Sequence, residues 1–180
     1  MNSFDMDATE KQKILYLIQK RITKEDFLAS ISPVPVFAYM RDGLQESLQR
    51  EDAESVYYLL MLGSKFDFSE DTVGILCDLI NEKWHTSQEE IARILGMQFA
   101  GTLSVERVAT AMQNQYPHMG SEDFRFPFVI KCAYALADSG KAEGIEKLKE
   151  LACSEDTVVR VSAQWQLDRL AGKNPEPLIW

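Results

Sequence analysis

Histidine occurs twice in this 180-residue chain and cysteine three times. His85 and His118 fall in different expected loops, and Cys77, Cys132 and Cys153 are odd in number and widely separated. No His or Cys pair has zinc-ligand spacing, so no metal site is expected. Each cysteine sits in an apolar helical context, which predicts buried, reduced thiols in a cytoplasmic protein. Gly140-Lys-Ala-Glu-Gly144 lacks the length and the strand of a phosphate-binding loop. There is no Gly-x-Ser-x-Gly elbow. Glu82 and His85 form a single Glu-x-x-His, where a di-iron bundle uses two. No catalytic set and no cofactor are therefore expected.

Two further absences bear on architecture. Apolar runs such as Val56–Leu62 are too short to span a bilayer, and MNSFDMDATEKQK lacks a basic stretch followed by an apolar one, so neither a membrane segment nor a signal peptide is expected. Alternation at period two is missing, and no Asn-Gly or Asp-Gly pair separates β-branched runs. The one Asp-Gly pair, Asp42-Gly43, is flanked by Phe37, Met40, Leu44 and Leu48 at helical spacing, which reads as a helix tolerating a glycine.

What is present is helical. Periodicity and caps predict about ten helices of 8–17 residues with short connections. They run from about Asp7 to Arg21, Lys24 to Ser30, Pro35 to Gln49, Asp52 to Leu62, Ser69 to Trp84, Ser87 to Phe99, Ser104 to Gln115, Glu122 to Asp138, Ala142 to Ala152 and Asp156 to Ala171. Asp7 with Glu10 and Ser87 with Glu90 stand in capping-box register, and Gly63 is placed to close the fourth helix. Helix, short loop, helix throughout argues for an all-α fold of antiparallel hairpins in one domain over 1–172, followed by an extended tail over 173–180. At this length roughly 70% of the unfolded chain's surface can be buried, so no disulfide or metal staple is required.

The pentapeptide SEDTV occurs at Ser69–Val73 and again at Ser154–Thr157-Val158, 85 positions on, each time at an expected helix start. That offset is near twice a helical repeat of about 40–47 residues. From Phe124 to Leu170 the chain resembles a HEAT-like repeat, carried by Asp156, Val159, Arg160, Ala163 and Leu167 and by a hairpin turn at Ser139-Gly140. The resemblance implies a short HEAT-like α-solenoid or an irregular helical bundle. It makes Val159, Ala163 and Leu167 core, and Asp156 and Arg160 ties between neighbouring repeats. The copy at Ser69 has Gly74 and Ile75 where the Val-Arg pair should follow. At about 100° per residue, Val159, Ala163, Leu167 and Leu170 share one side of the last helix, and Val158, Val161 and Trp165 the other. The second side must meet an earlier repeat, the tail residues Leu178, Ile179 and Trp180, or a partner.

Net charge is −9, and residues 41–123 hold all of it, with fifteen acids against six bases. Such a field repels nucleic acid and anionic lipid and attracts a basic partner. Some HEAT-like folds are DNA glycosylases, but those need a basic concave surface that this chain lacks. The carboxylate pairs Glu70/Asp71, Glu89/Glu90, Glu122/Asp123 and Glu155/Asp156 all fall in the first turn of an expected helix, where the helix dipole favours negative charge. These features lead to a non-enzymatic protein that binds another protein with a basic surface. In size, charge and fold type the chain resembles bacterial immunity proteins, which neutralise nuclease toxins by covering them. The alternatives are a general HEAT-like scaffold or adaptor, or a small enzyme without a visible motif. The candidate partner-binding residues are Asp67, Glu70, Asp71, Glu82, Glu89 and Glu90, with Trp84 and Tyr116 as aromatic anchors.

Overall fold

The computed structural model describes residues 6–173 and residue 175. It is all-α: ten α-helices and one short 3₁₀ turn, with no strand among the described residues. The extended tail expected over 173–180 lies outside the described residues except at Lys173 and Pro175. Packing divides the chain into two compact units, Met1–Ile75 and Leu76–Trp180.

The first unit holds α1 (Ala8–Ile18), α2 (Lys24–Ile31), α3 (Val36–Arg50) and α4 (Ala53–Phe66). Asp7 and Glu10 close a reciprocal capping box, and Thr23 and Asp26 close a second one that fixes the start of α2. Pro33 and Pro35 separate α2 from α3, and Pro35 supplies the N-cap of α3. Asp42-Gly43 is helical and Gly43 buried, as its flanking residues predicted. α3 and α4 form a hairpin, and α1 packs on α4. Their core includes Ile14, Leu17, Met40, Leu44, Val56, Leu59 and Leu62.

α4 does not end at Gly63. It continues to Phe66, and the left-handed residue that closes it is Asp67, at φ 58°. Gly63 serves packing instead: a Cβ there would lie 2.0 Å from the Phe68 ring. Gly63→Ala is therefore expected to lower the unfolding free energy by about 1–3 kcal/mol by overpacking, measured by urea denaturation.

A 3₁₀ turn (Glu70–Thr72) leads into α5 (Val73–Leu79), within which the boundary between the units falls. The helix expected to reach Trp84 stops at Leu79 because side chains take its last carbonyls. Asn81 Nδ2 donates to the Cys77 carbonyl (3.1 Å), and the His85 ring bonds that of Leu79 (2.9 Å).

The second unit continues with α6 (Gln88–Gln98), α7 (Val105–Gln113), α8 (Glu122–Ala137), α9 (Ala142–Leu151) and α10 (Thr157–Leu170). α8 is its hub and touches the other four. Phe128, Val129, Cys132, Ala133 and Leu136 are fully buried along it. Pro127 is accommodated inside α8; the carbonyl it cannot serve is that of exposed Asp123. Gly140 turns the chain at φ 68°, so α9 runs back along α8. Cys77 and Cys132 are buried, whereas Cys153, expected to be buried, is exposed in the turn before α10.

α10 packs on both α8 and α9. Its buried stripe is Val158, Val159, Ser162, Ala163 and Gln166. Leu167 is half-buried and Leu170 exposed, so the stripe is rotated from the expected Val159–Ala163–Leu167–Leu170 face. Two-sided packing sets that rotation, and it buries polar atoms, of which Ser162 Oγ and Gln166 Nε2 lack a partner. Val161 and Trp165 border a surface hollow of about 400 Å³ with Ala152, Arg160, Gln164 and Asp168.

Candidate functional site

Three contacts fix how α8 and α10 run. Arg125 pairs with Asp156, the Tyr134 ring lies 5.6 Å from that of Trp165, and Arg169 pairs with Asp138 (2.5 Å). The partners advance together along both chains, so the two helices are parallel. α6 is parallel to α8 by the same test, through Glu89–Lys131 and the close approach of Gly96 to Ala135. α8 and α10 therefore begin at one end of the second unit, and α6 points the same way but begins beside Lys131, midway along α8. α7 ends at the start of α8, since its Met112 carbonyl accepts from Arg125 Nη2 (3.2 Å).

The starts of these three parallel helices carry carboxylates that are scattered in sequence. Glu89 and Glu90 stand in the first turn of α6, Glu122 and Asp123 in that of α8, and Glu155 and Asp156 just before α10. Glu89 is matched by Lys131 and Glu90 by both arms of Arg93 (2.6 and 2.8 Å). Ser87 and Glu90 thus form no capping box, because Arg93 takes the Glu90 carboxylate and the Ser87 amide turns to His85 Nδ1. Glu122, Asp123 and Glu155 are exposed and make no ion pair with a described residue.

Asp156 is the exception in this set. It caps α10 by accepting from the Val159 amide (3.1 Å) and binds the Arg125 guanidinium, which is 95% buried. Burial alone would push its pKa up, but the Val159 amide and the Arg125 cation together outweigh that and hold it below the ordinary aspartate value. Arg160, expected to tie neighbouring repeats, instead donates to the carbonyls of Ser154 (2.7 Å) and Glu155 (3.0 Å) in its own turn. The tie between hairpins runs from Asp156 to Arg125. A similar pair recurs in the first unit, where Arg41 binds Asp71 of the upstream SEDTV (2.8 Å). The two pairs span 30 and 31 residues.

The eight candidate residues are divided between the units. Asp67, Glu70 and Asp71 belong to the first, all exposed. The Asp71 carboxyl is lowered by the Ser69 hydroxyl and by Arg41. Glu82, Trp84, Glu89, Glu90 and Tyr116 belong to the second. Trp84 is half-buried and its indole N–H donates to Glu82 (3.0 Å). Tyr116 presents no surface to a partner: it is 3% exposed, packs edge-on against Phe128 and donates its hydroxyl proton to the Ile80 carbonyl (2.7 Å). The charge excess is divided as well, with thirteen acids and eight bases in residues 1–75 and fifteen and eleven in residues 76–180.

Reading each carboxylate pair as a response to its own helix dipole left out Glu122, Asp123 and Glu155; that these acids open helices parallel to α6 depends on helix direction, which the packing between helices sets.

Among the described residues no group of three or more His, Cys, Asp or Glu is arranged to hold a metal ion, and no helix is long and apolar enough to cross a membrane. Fold and site define an all-α protein whose second unit carries carboxylates at the starts of three parallel helices. No family model matches the chain, and neither a curated protein nor a solved structure matches it.

Proposed function

We propose that this chain is a non-enzymatic binding protein whose second unit docks a basic protein surface on the side toward which α6, α8 and α10 present their first turns. The observation that carries this reading is that Glu89, Glu90, Glu122, Asp123 and Glu155 stand at the starts of three parallel helices that point the same way, three of them without a counter-ion among the described residues. Carboxylates in this arrangement speed encounter with a cationic surface and reject anionic ones. Half-buried Trp84 beside Glu82 offers an amphipathic anchor just before α6. A nuclease must present cationic groups to a phosphate backbone, so the target class that fits is a nuclease-type toxin, occluded sterically as an immunity protein does it.

The repeat reading is part of this proposal. Two contacts between α6–α7 and α8–α9 have a similar reach: Glu89 to Lys131 spans 42 residues and Leu103 to Lys141 spans 38, whereas α8 to α10 contacts span 31. The first two are close to the period of HEAT-type hairpins. The two SEDTV copies, each with an arginine about 30 residues upstream, support a three-helix module used twice.

The test is co-purification with the tagged chain at low and high salt (about 50 and 500 mM). The reading expects a basic partner that is held at low salt, released at high salt, and inhibited as a nuclease when this chain is added back. A partner held equally at both salts overturns the electrostatic mode of docking. A partner without nuclease activity overturns the toxin assignment and returns the scaffold reading.

A further inference from the structure

His85 is 2% exposed in the corner between α5 and α6, and both of its ring nitrogens are engaged. Nε2 lies 2.9 Å from the Leu79 carbonyl and Nδ1 lies 3.1 Å from the Ser87 amide. A carbonyl can only accept and an amide can only donate, so the ring is neutral, with its proton on Nε2. The corner has one more fastener in Gln88, whose Nε2 donates to the carbonyls of Glu82 and His85. The Trp84 ring stands edge-on to the imidazole, with centroids 4.7 Å apart.

We propose that His85 is a proton-operated latch: its neutral ring holds the corner 79–88 and the start of α6 closed, and a second proton releases them. That proton would go to Nδ1, where it faces the Ser87 N–H. Two donors then oppose each other, the acceptor is lost, and a cation occupies a site closed to water.

The surrounding groups offer the cation no counter-charge. From the α7–α8 connection His118 acts on the ring, and when protonated it repels. Glu82, the carboxylate of the same corner, is turned to the Trp84 indole. Glu89 and Glu90 on α6 are held by Lys131 and Arg93. Tyr116, from the connection to α8, is kept neutral by burial, which raises its pKa. Burial lowers the His85 pKa, the Leu79 carbonyl opposes this weakly, and His118 adds to it. The sign is therefore that of a depressed base. The corner's stability is complete above the ordinary histidine pKa of about 6.5 and is lost as pH falls below it, toward the folded value.

Opening would move Trp84, Glu89 and Glu90. The latch stands on the corner's own geometry; that it would also regulate docking rests on the proposed acidic side. The test is hydrogen exchange at the amides of Ser87 to Ile91, corrected for intrinsic rates, at pH about 7.5 and about 5. Protection in the wild type is expected to fall at least about tenfold at the lower pH. His85→Gln, which can donate to Leu79 and accept from Ser87 but cannot titrate, is expected to abolish that fall, and His118→Gln to keep most of it. An equal fall in His85→Gln, or none in the wild type, overturns the latch. Should His85→Gln not fold, ¹⁵N-histidine NMR of the wild type decides: Nδ1 protonation and the Ser87 amide shift must titrate together, and an indifferent Ser87 amide overturns the proposal. Partner binding measured only at pH about 7.5 reports on the acidic side separately.

Discussion

Arg125→Ala is expected to lower the unfolding free energy by about 3–5 kcal/mol, the range for removing one partner of a buried ion pair. The guanidinium serves two clients. Nη1 binds the Asp156 carboxylate and Nη2 donates to the Met112 carbonyl, so it joins α7, α8 and the start of α10; Arg125 is 5% exposed and the Asp156 side chain 28%. Alanine would leave the Asp156 carboxylate without its cation, though still capping the Val159 amide, and the Met112 carbonyl without its donor, and would open a void beside them. Arg125 Nε has no partner among the described residues, so the site is not optimal for a cation. Arg125→Met combined with Asp156→Ser removes both charges and keeps a hydroxyl to cap α10. That pair is expected to be more stable than Arg125→Ala, because no charge remains unmatched. Because the folded Asp156 pKa is depressed, its contribution is present above the unfolded carboxylate pKa and is lost as pH falls through the folded value. The deficit of Arg125→Ala should therefore shrink in acid. Urea denaturation at pH 7 and in the acid range checks both statements.

Gly144→Ala is expected to cost about 1–3 kcal/mol, although alanine is the better helix former by about 1 kcal/mol. A Cβ at Gly144 would lie 2.5 Å from the Leu136 carbonyl oxygen and 2.5 Å from Ser139 Oγ. Both belong to the turn that closes α8, where Ser139 Oγ donates to that same carbonyl (2.7 Å) and accepts from the Lys141 amide (3.3 Å). The obstruction is backbone and a bonded hydroxyl, so relief requires α9 to move off α8. Gly74→Ala is the control. It lies in α5 with nothing within 4 Å of the added carbon, and it is expected to stabilise by about 0.5–1 kcal/mol. Opposite signs for one substitution at two helical glycines, measured by thermal unfolding, would show that contact and not propensity decides at Gly144.

Most of the helices were legible because caps and apolar spacing are local. Asp7 with Glu10 closes its box as the spacing predicts, and Val105, Val108, Ala109 and Met112 form one buried stripe. The failures were tertiary. Gly63 looks like a helix end until Phe68 is seen against it. α5 stops early because Asn81 and His85, one turn or more downstream, take its carbonyls. Tyr116 reads as a surface anchor in a loop of Pro, His and Gly, yet its hydroxyl is bonded to Ile80, a partner 36 residues away. The acidic side was half legible. Its carboxylates are plain in sequence as first-turn residues, but their common direction depends on α6, α8 and α10 being parallel.

The measurement that bears most directly on the acidic side is the affinity of the co-purified partner for charge-reversed variants, by titration calorimetry at about 50 mM salt. The variant Glu89→Lys/Glu122→Lys/Asp123→Lys is expected to weaken binding at least about a hundredfold. Glu143→Lys, an exposed acid at the start of α9 and thus at the opposite end of the unit, is expected to change it by less than about threefold. Unchanged affinity in the triple variant, or an equal loss in Glu143→Lys, would contradict the assignment of docking to the side toward which α6, α8 and α10 present their first turns.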